Sequence, residues 1–193
     1  MENPETRQFK FQIVILLRKN ANSTFNPLRK TGFMKMDVYH KVFVYGTLKT
    51  GEPNHHVFKG NMEGRYKLLC DAATVEKYPL IIGTKYNIPF LLQEPGTGHN
   101  VKGELYEVDD KVLTVLDELE DHPNFYVREE VDVISSKDSN IHKAWIYFIK
   151  NFQRRLLNNI MLECYTNNGQ SPKYVERYLR KGENFSYDEV LNR

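Results

Sequence analysis

Glu120 is the side chain of this sequence best suited to moving a proton. It lies near the end of the segment "DDKVLTVLDELEDHP", residues 109–123, whose apolar residues recur at the spacing of one helix face. At about 100° per residue, Glu120 projects within about 20° of Leu113 and therefore belongs to the apolar face. Burial and the negative end of the helix dipole would both raise the pKa of its carboxylate, as a general base near neutral pH requires.

The alternative for Glu120 is a purely structural one. Helix ends commonly break the pattern of the helix, and Glu120 would then turn to water or pair with Arg128. Asp109 or Asp110 would cap the start of this helix, and Pro123 would stop it. Periodicity alone leaves both interpretations of Glu120 open.

A second candidate is the loop that follows the first predicted strand, within "VFVYGTLKTGEPNHH" at 42–56. Backbone N–H groups that turn through Gly46 can point into one concavity and bind an anion, because a residue without Cβ lets a ligand approach closely. Thr47 adds a hydroxyl. An ordinary loop leaving a strand is the alternative, and the stretch lacks the GxxxxGK[ST] pattern of a nucleotide P-loop.

Other chemistries find little support in the sequence. The six histidines do not fall at metal-ligand spacing with acids, no GxSxG occurs, and neither Cys70 nor Cys164 has a nearby His. We therefore expect no metal and no cofactor. With 27 Lys plus Arg against 25 Asp plus Glu, the net charge of +2 is too small to indicate nucleic-acid binding. We expect a monomer that binds neither nucleic acid nor a membrane.

Composition and cysteine content favour a cytoplasmic globular protein. Apolar residues make up 40% of the chain and charged residues 27%, which is typical of globular proteins. The apolar run at 11–17 is far shorter than the roughly 20 residues that a transmembrane helix needs. Two well-separated cysteines favour reduced thiols; a secreted form with a long-range disulfide and a glycosylated Asn22 is the alternative.

Short strands and few helices are predicted along the chain. Residues 1–38 are interpreted as a basic N-terminal extension, 39–150 as a barrel domain, and 151–193 as a C-terminal helical segment packed on the same domain. Helical periodicity predicts α-helices over 152–165 and, shorter, over 174–180. This content predicts an α+β fold, a small mixed β-barrel or strongly curled sheet with flanking helices. The predicted strands are Lys41 to Tyr45, Tyr66 to Glu76, Leu80 to Ile82, Ile88 to Leu92, Val101 to Val108, Tyr126 to Ile134 and Ala144 to Ile149.

Four blocks follow one another along the chain: "VFVYGTLKTGEPNHH", "YPLIIGTKYNIPFLL", "VKGELYEVDDKVLTVLDELEDHPNFYVR" and "AWIYF". Together they resemble the γ-glutamyl cyclotransferase superfamily, and most closely its γ-glutamylamine cyclotransferase branch, the AIG2-like proteins. The resemblance covers residues 41 to 150 or so and does not extend convincingly beyond Asn151.

This resemblance implies the family's small β-barrel with flanking helices. It also implies that Tyr45, Gly46, Thr47 and Leu48, which occupy the YG[ST]L positions, bind the γ-glutamyl end of a small-molecule substrate largely through backbone groups. The catalytic carboxylate of the family ends the "LD-x-x-E" helix turn, which is Glu120 in this sequence. The resemblance therefore implies that the catalytic residue is Glu120, the same residue that helix geometry puts on the apolar face.

The reaction that the resemblance implies closes a γ-glutamyl amide to 5-oxoproline. The α-amine of the substrate attacks its own γ-carbonyl and expels an amine, with Glu120 as general acid and base. The expected substrates are γ-glutamyl amines such as ε-(γ-glutamyl)-lysine, released when transglutaminase-crosslinked proteins are degraded. The alternatives are glutathione-type or γ-glutamyl amino-acid substrates, and a non-catalytic γ-glutamyl-binding module.

Overall fold

Within the part of the chain that the structure describes, the strands and α-helices number eight and two. The computed structural model describes residues 38–59, 64–168, 173–180 and 186–192. The helices are α1 (His56–Lys59) and α2 (Asp110–Leu119). The strands are β1 (Tyr39–Val44), β2 (Tyr66–Tyr78), β3 (Leu80–Gly83), β4 (Ile88–Leu91), β5 (His99–Asp109), β6 (Val127–Ser135), β7 (Ile141–Phe148) and β8 (Met161–Leu162).

A closed five-stranded barrel forms the centre of the protein. Its strand order is β1-β5-β2-β6-β7, and β1 closes the ring by pairing in parallel with β7 at Val42 and Trp145. The other neighbouring strands of the barrel are antiparallel. A second sheet has the order β4-β3-β8. The predicted mixed barrel is confirmed, and all seven predicted strands are present close to their expected bounds.

β1 is buried on both of its faces, as its uninterrupted apolar run indicates. Val42 and Val44 belong to the core cluster that α2 covers, whereas Phe43 points into a second cluster between β5 and β7. All three side chains are buried. The loop after β1 therefore leaves a strand whose position is fixed from both sides.

α2 has the start and the buried face that the sequence predicts. The side chain of its N-cap, Asp109, accepts a hydrogen bond of 3.0 Å from the backbone N–H of Val112. Val112, Leu113 and Leu116 are buried against the barrel. Because these three residues fix the rotation of the helix, they also fix the direction in which its C-terminal residues project.

The prediction of an α-helix over 152–165 is wrong. A short 3-10 helix occupies Arg154–Asn158, and β8 follows it. Met161 and Leu162 pair with β3, so the apolar residues that imitate a helix face complete a sheet, while Ile160 is 84% exposed.

The predicted helix over 174–180 is likewise reduced to a 3-10 turn at Arg177–Leu179. A third 3-10 turn occupies Tyr187–Glu189. The described residues after 150 thus contain 3-10 turns and one short strand rather than an α-helical segment. The domain boundaries at 38 and 150 stay predictions, and residues 1–37 of the predicted extension lie outside the described residues.

Neither helix in the described part of the chain has the length and apolarity needed to cross a membrane. Both cysteines are free thiols; Cys70 is half-buried and Cys164 is exposed.

Candidate active site

The C-terminal end of α2 fixes the position of Glu120 through backbone hydrogen bonds. Glu120 is the C-cap, with φ −86° and ψ 0°. The N–H of Asp121 donates to the carbonyl of Glu118 at 3.3 Å, and the N–H of His122 donates to the carbonyl of Asp117 at 2.9 Å. This pair of bonds is the Schellman arrangement, in which the residue after the cap takes a left-handed conformation.

Asp121 fills the position that usually holds glycine in this arrangement. Its φ is 49°, a left-handed value that Asp and Asn adopt more readily than most residues. Its Oδ1 accepts a hydrogen bond of 2.9 Å from Nδ2 of Asn124, and its Oδ2 accepts one of 2.8 Å from the hydroxyl of Tyr187. Side-chain contacts therefore hold the turn that carries Glu120.

The side chain of Glu120 lies at the edge of the core. Glu120 is half-buried whereas Glu118 is exposed, as helix geometry predicts. Arg128, the partner considered for Glu120 from sequence, donates to both carboxylate oxygens of Asp117 at 2.9 and 2.8 Å. Its guanidinium also lies 4.9 Å from the centre of the Trp145 ring.

Three buried tyrosines lie within electrostatic reach of Glu120. Burial raises the pKa of Tyr45 well above its ordinary value, and the charge of Glu120 raises it further. The pKa of Tyr126 is raised by burial and then by Tyr45 and Glu120. Burial, the hydrogen bond to Asp117 and the charges of Asp117 and Glu120 raise the pKa of Tyr147. All three hydroxyls therefore stay protonated at neutral pH.

Tyr45 belongs both to this group of three buried tyrosines and to the predicted binding loop. Its hydroxyl donates a hydrogen bond of 2.8 Å to the carbonyl of Tyr147, and its backbone begins the loop of residues 45–48. The loop therefore begins at a residue whose pKa the charge of Glu120, 75 positions later in the sequence, helps to raise.

The carbonyls of residues 46–48 accept hydrogen bonds, whereas their amides donate to no described residue. The carbonyl of Gly46 accepts from the N–H of Lys49 at 3.1 Å, and that of Thr47 accepts from the N–H of Asn54 at 2.9 Å. The carbonyl of Leu48 lies 3.1 Å from Nδ1 of His55. Among the described residues, no acceptor takes a hydrogen bond from the amides of residues 46–48. Three donors in succession suit an anionic group.

Gly46 is closely approached by the second sheet. A Cβ at this position would lie 3.0 Å from Cγ of Pro89 in β4. Packing therefore favours a residue without a side chain here, in addition to the ligand approach for which the sequence pattern argues.

Several residues at this site do not follow from the sequence pattern. Asn54 donates from Nδ2 to Oγ1 of Thr47 at 2.9 Å, and buried His55 holds Leu48. Tyr126 belongs to one of the quoted blocks, but its hydroxyl had no predicted role. Tyr147 and Tyr187 come from separate elements, and only the fold brings them to the turn after α2.

Comparison with known proteins shows the family of the chain. The family model described as γ-glutamyl cyclotransferase, AIG2-like, matches residues 42–167. A γ-glutamylaminecyclotransferase C of Danio rerio is 42% identical over 147 residues, covering 74% of this chain and 97% of that protein. The γ-glutamylaminecyclotransferase of Bos taurus is 40% identical over 129 residues, covering 67% of this chain and 77% of that protein.

A solved structure gives the same result for the fold. The crystal structure of an AIG2-like protein from Mus musculus superimposes with a TM-score of 0.68 at 36% identity, covering 72% of this chain and 97% of that chain. The residues that the family model matches, 42–167, include α2, the loop after β1 and most of the barrel, and this match confirms the resemblance of the four sequence blocks. The chain therefore belongs to the AIG2-like γ-glutamyl cyclotransferase family.

Proposed function

We propose that this protein is a γ-glutamylamine cyclotransferase that converts γ-glutamyl amines to 5-oxoproline and the free amine. One observation carries the proposal: the charge of half-buried Glu120 acts on Tyr45, which begins a loop whose amides at residues 46–48 have no acceptor among the described residues. This interaction supports pairing the proposed proton acceptor with the proposed anion-binding loop in one site.

The reaction needs a base more than it needs a nucleophile from the protein. The α-amine of a γ-glutamyl group is mostly protonated at neutral pH and attacks only after it loses a proton. Glu120 takes that proton. The free amine then attacks the γ-carbonyl of the same molecule, and proximity within the substrate supplies much of the rate.

Glu120 then returns the proton to the leaving amine. The five-membered lactam closes as the C–N bond of the γ-amide breaks, and the attacking nitrogen gives up a second proton. Both protons lost by the substrate ammonium end on the released amine, which leaves as its ammonium ion, and the carboxylate of Glu120 is regenerated. The amides of Gly46, Thr47 and Leu48 bind the substrate α-carboxylate and help to stabilise negative charge that develops on the γ-carbonyl oxygen.

The buried tyrosines keep this region polar without adding a second charge. Because the pKa values of Tyr45, Tyr126 and Tyr147 are raised, their hydroxyls are neutral when Glu120 is ionised. In a region of low dielectric, such dipoles interact with charges more strongly than they would in water.

The substrate class follows from the named relatives. The γ-glutamylaminecyclotransferases of Danio rerio and Bos taurus described above share 42 and 40% identity with this chain over 97 and 77% of their own length. We therefore propose γ-glutamyl amines such as ε-(γ-glutamyl)-lysine as substrates and place the reaction in the degradation of isopeptide crosslinks. Free thiols at Cys70 and Cys164 support a reducing compartment such as the cytoplasm.

The direct test is the release of 5-oxoproline by the purified protein. It is incubated with ε-(γ-glutamyl)-lysine, γ-glutamyl-alanine and glutathione, each with and without EDTA, and the product is quantified. We expect the highest kcat/KM for the isopeptide and no effect of the chelator. Faster turnover of γ-glutamyl-alanine or glutathione would favour the other cyclotransferase activities. Binding of these compounds without any product would indicate a non-catalytic binding module.

A further inference from the structure

The C-terminal residues after the family match reach both halves of the proposed site. The family model ends at residue 167, yet residues 173–180 and 186–192 pack on the barrel domain. Val190 and Leu191 are buried in the same core cluster as Leu113 and Leu116 of α2. The N–H of Gln153 donates to the carbonyl of Val190 at 2.8 Å. These contacts give the C-terminal residues a defined position beside α2.

Tyr187 contacts the turn that carries Glu120. Its ring stacks on Phe125 with 4.3 Å between ring centres and 26° between planes. Its hydroxyl donates to Oδ2 of Asp121 at 2.8 Å. Asp121 follows Glu120 directly and holds a left-handed conformation that a residue with a side chain adopts only with support. Tyr187 supplies part of that support.

Tyr174 contacts the loop on the other side of the site. Its hydroxyl accepts a hydrogen bond of 3.3 Å from Nδ2 of Asn54, and the same Nδ2 donates to Oγ1 of Thr47 at 2.9 Å. The backbone N–H of Tyr174 donates to Oδ1 of Asn167 at 2.6 Å, which fixes the start of this segment.

Both tyrosines also interact electrostatically with the buried side chain of Tyr126. The pKa of Tyr126 is raised by its burial first, by Tyr45 and Glu120 next, and by Tyr174 and Tyr187 as well. The two C-terminal tyrosines therefore border the region that holds the proposed base and the proposed binding loop.

We propose that Tyr187 and Tyr174 are positioning residues of the cyclotransferase site, an inference that rests on the proposed function. Tyr187 acts through Asp121 and fixes the direction of the Glu120 side chain. Tyr174 acts through Asn54 and fixes Thr47 and the neighbouring amides of the binding loop. Residues beyond the stretch that the family model matches thus support the reaction of this chain.

The two contacts predict different kinetic effects. Tyr187→Phe keeps the ring stacked on Phe125 and removes only the hydroxyl, so kcat should fall about tenfold with little change in KM, as expected for the loss of one hydrogen bond to a charged group. The acid limb of its kcat–pH profile should also move, because the surroundings of Glu120 change. Tyr174→Phe should raise KM by about fivefold and leave kcat near the wild-type value.

Tyr178→Phe is the matched control, because Tyr178 lies in the same segment and is 70% exposed. It should leave both constants unchanged. Thermal unfolding of every variant distinguishes positioning from a general loss of stability. Amide hydrogen exchange should become faster at residues 120–125 in Tyr187→Phe and at residues 47–54 in Tyr174→Phe. Each variant should leave the exchange rates in the other region unchanged.

The outcomes separate this inference from the proposed function. A wild-type protein that releases no 5-oxoproline from any γ-glutamyl compound overturns both. An active wild type whose two Phe variants keep normal kcat, KM and pH profile overturns the positioning roles alone. The positioning roles are also overturned if both variants lose activity in proportion to their thermal stability and do not affect kcat and KM separately. That pattern is expected when a contact only stabilises the fold.

Discussion

The hydroxyl of Tyr147 donates a hydrogen bond of 2.7 Å to Oδ1 of Asp117, which lies three residues before Glu120 on α2. Asp117 also accepts from Arg128 through both of its oxygens, at 2.9 and 2.8 Å. Tyr147 belongs to β7 and Arg128 to β6, so two barrel strands hold the last turn of α2. The proposed base is thus positioned by the barrel as well as by its own helix.

Breaking this network should destabilise the fold. Asp117→Asn removes the charge that pairs with Arg128, whose side chain is only 18% exposed. We expect the free energy of unfolding to fall by about 1 to 3 kcal/mol, the range for a buried polar group left without its partner. Urea denaturation measures it. Asp132→Asn, which breaks the exposed pair with Lys143, is the control and should cost less than about 1 kcal/mol. Equal effects in both variants would argue against the network.

Glu120→Gln should abolish turnover while leaving the fold intact. The amide keeps the size of the side chain and cannot accept the proton of the substrate ammonium, so kcat should fall by about 10²- to 10⁴-fold. Release of 5-oxoproline gives kcat, and the melting temperature reports on folding. Glu118→Gln changes an exposed carboxylate two residues earlier on the same helix and should keep full activity. Full activity in Glu120→Gln would rule out the proposed base.

Alkaline pH should destabilise the protein through its buried tyrosines. Burial, followed by the charge of Glu120, raises the pKa of Tyr45 in the folded state, and burial raises the pKa values of Tyr126 and Tyr147. Above pH 10 or so, these hydroxyls ionise in the unfolded chain but not in the folded one, so the folded state binds more protons.

The stabilisation that comes from keeping these tyrosines protonated is therefore complete below the tyrosine pKa of the unfolded chain. It is lost as the pH rises from that value toward the higher pKa of the folded state. Each tyrosine contributes a decline of up to about 1.4 kcal/mol per pH unit. Urea denaturation between pH 9 and pH 11 or so should give a steep fall in the free energy of unfolding. Tyr45→Phe removes one of the three groups and should make the fall less steep; an unchanged slope would contradict this account.

Gly46→Ala should weaken substrate binding. The added methyl group would lie 3.0 Å from Cγ of Pro89, so the loop or the proline must move by a few tenths of an ångström. We expect the KM to rise by about tenfold, because the amides of residues 46–48 shift together. Adding Pro89→Ala to Gly46→Ala opens space for the methyl group, so the KM of the double variant should be lower than that of Gly46→Ala alone. A double variant no better than Gly46→Ala would mean that the effect is not steric.

The periodic parts of the sequence predict the structure well. β1, α2 and the barrel follow from apolar patterns and from Asp109 as a helix cap, because local backbone preference and burial favour the same conformation there. The half-buried position of Glu120 follows from the same helix geometry.

The remaining features depend on contacts between distant residues. The apolar spacing over 152–165 fits a helix, but pairing of Met161 and Leu162 with β3 overrides it. A glycine at 121 would have indicated the turn after α2; Asp121 gives no such signal, because its conformation depends on Asn124 and Tyr187. No local pattern brings Tyr147 and Tyr187 next to that turn.

The parallel pair between β1 and β7 also limits when the chain can fold. Val42 meets Trp145, so the ring cannot close until more than one hundred intervening residues have been made. Contacts this remote in sequence slow folding, since the cost of ordering the intervening chain precedes their formation. During synthesis, β1 therefore leaves the ribosome long before its last partner strand. β5 is synthesised before β7, so its antiparallel pairing with β1 can form earlier and cover one edge of β1 until β7 has been made.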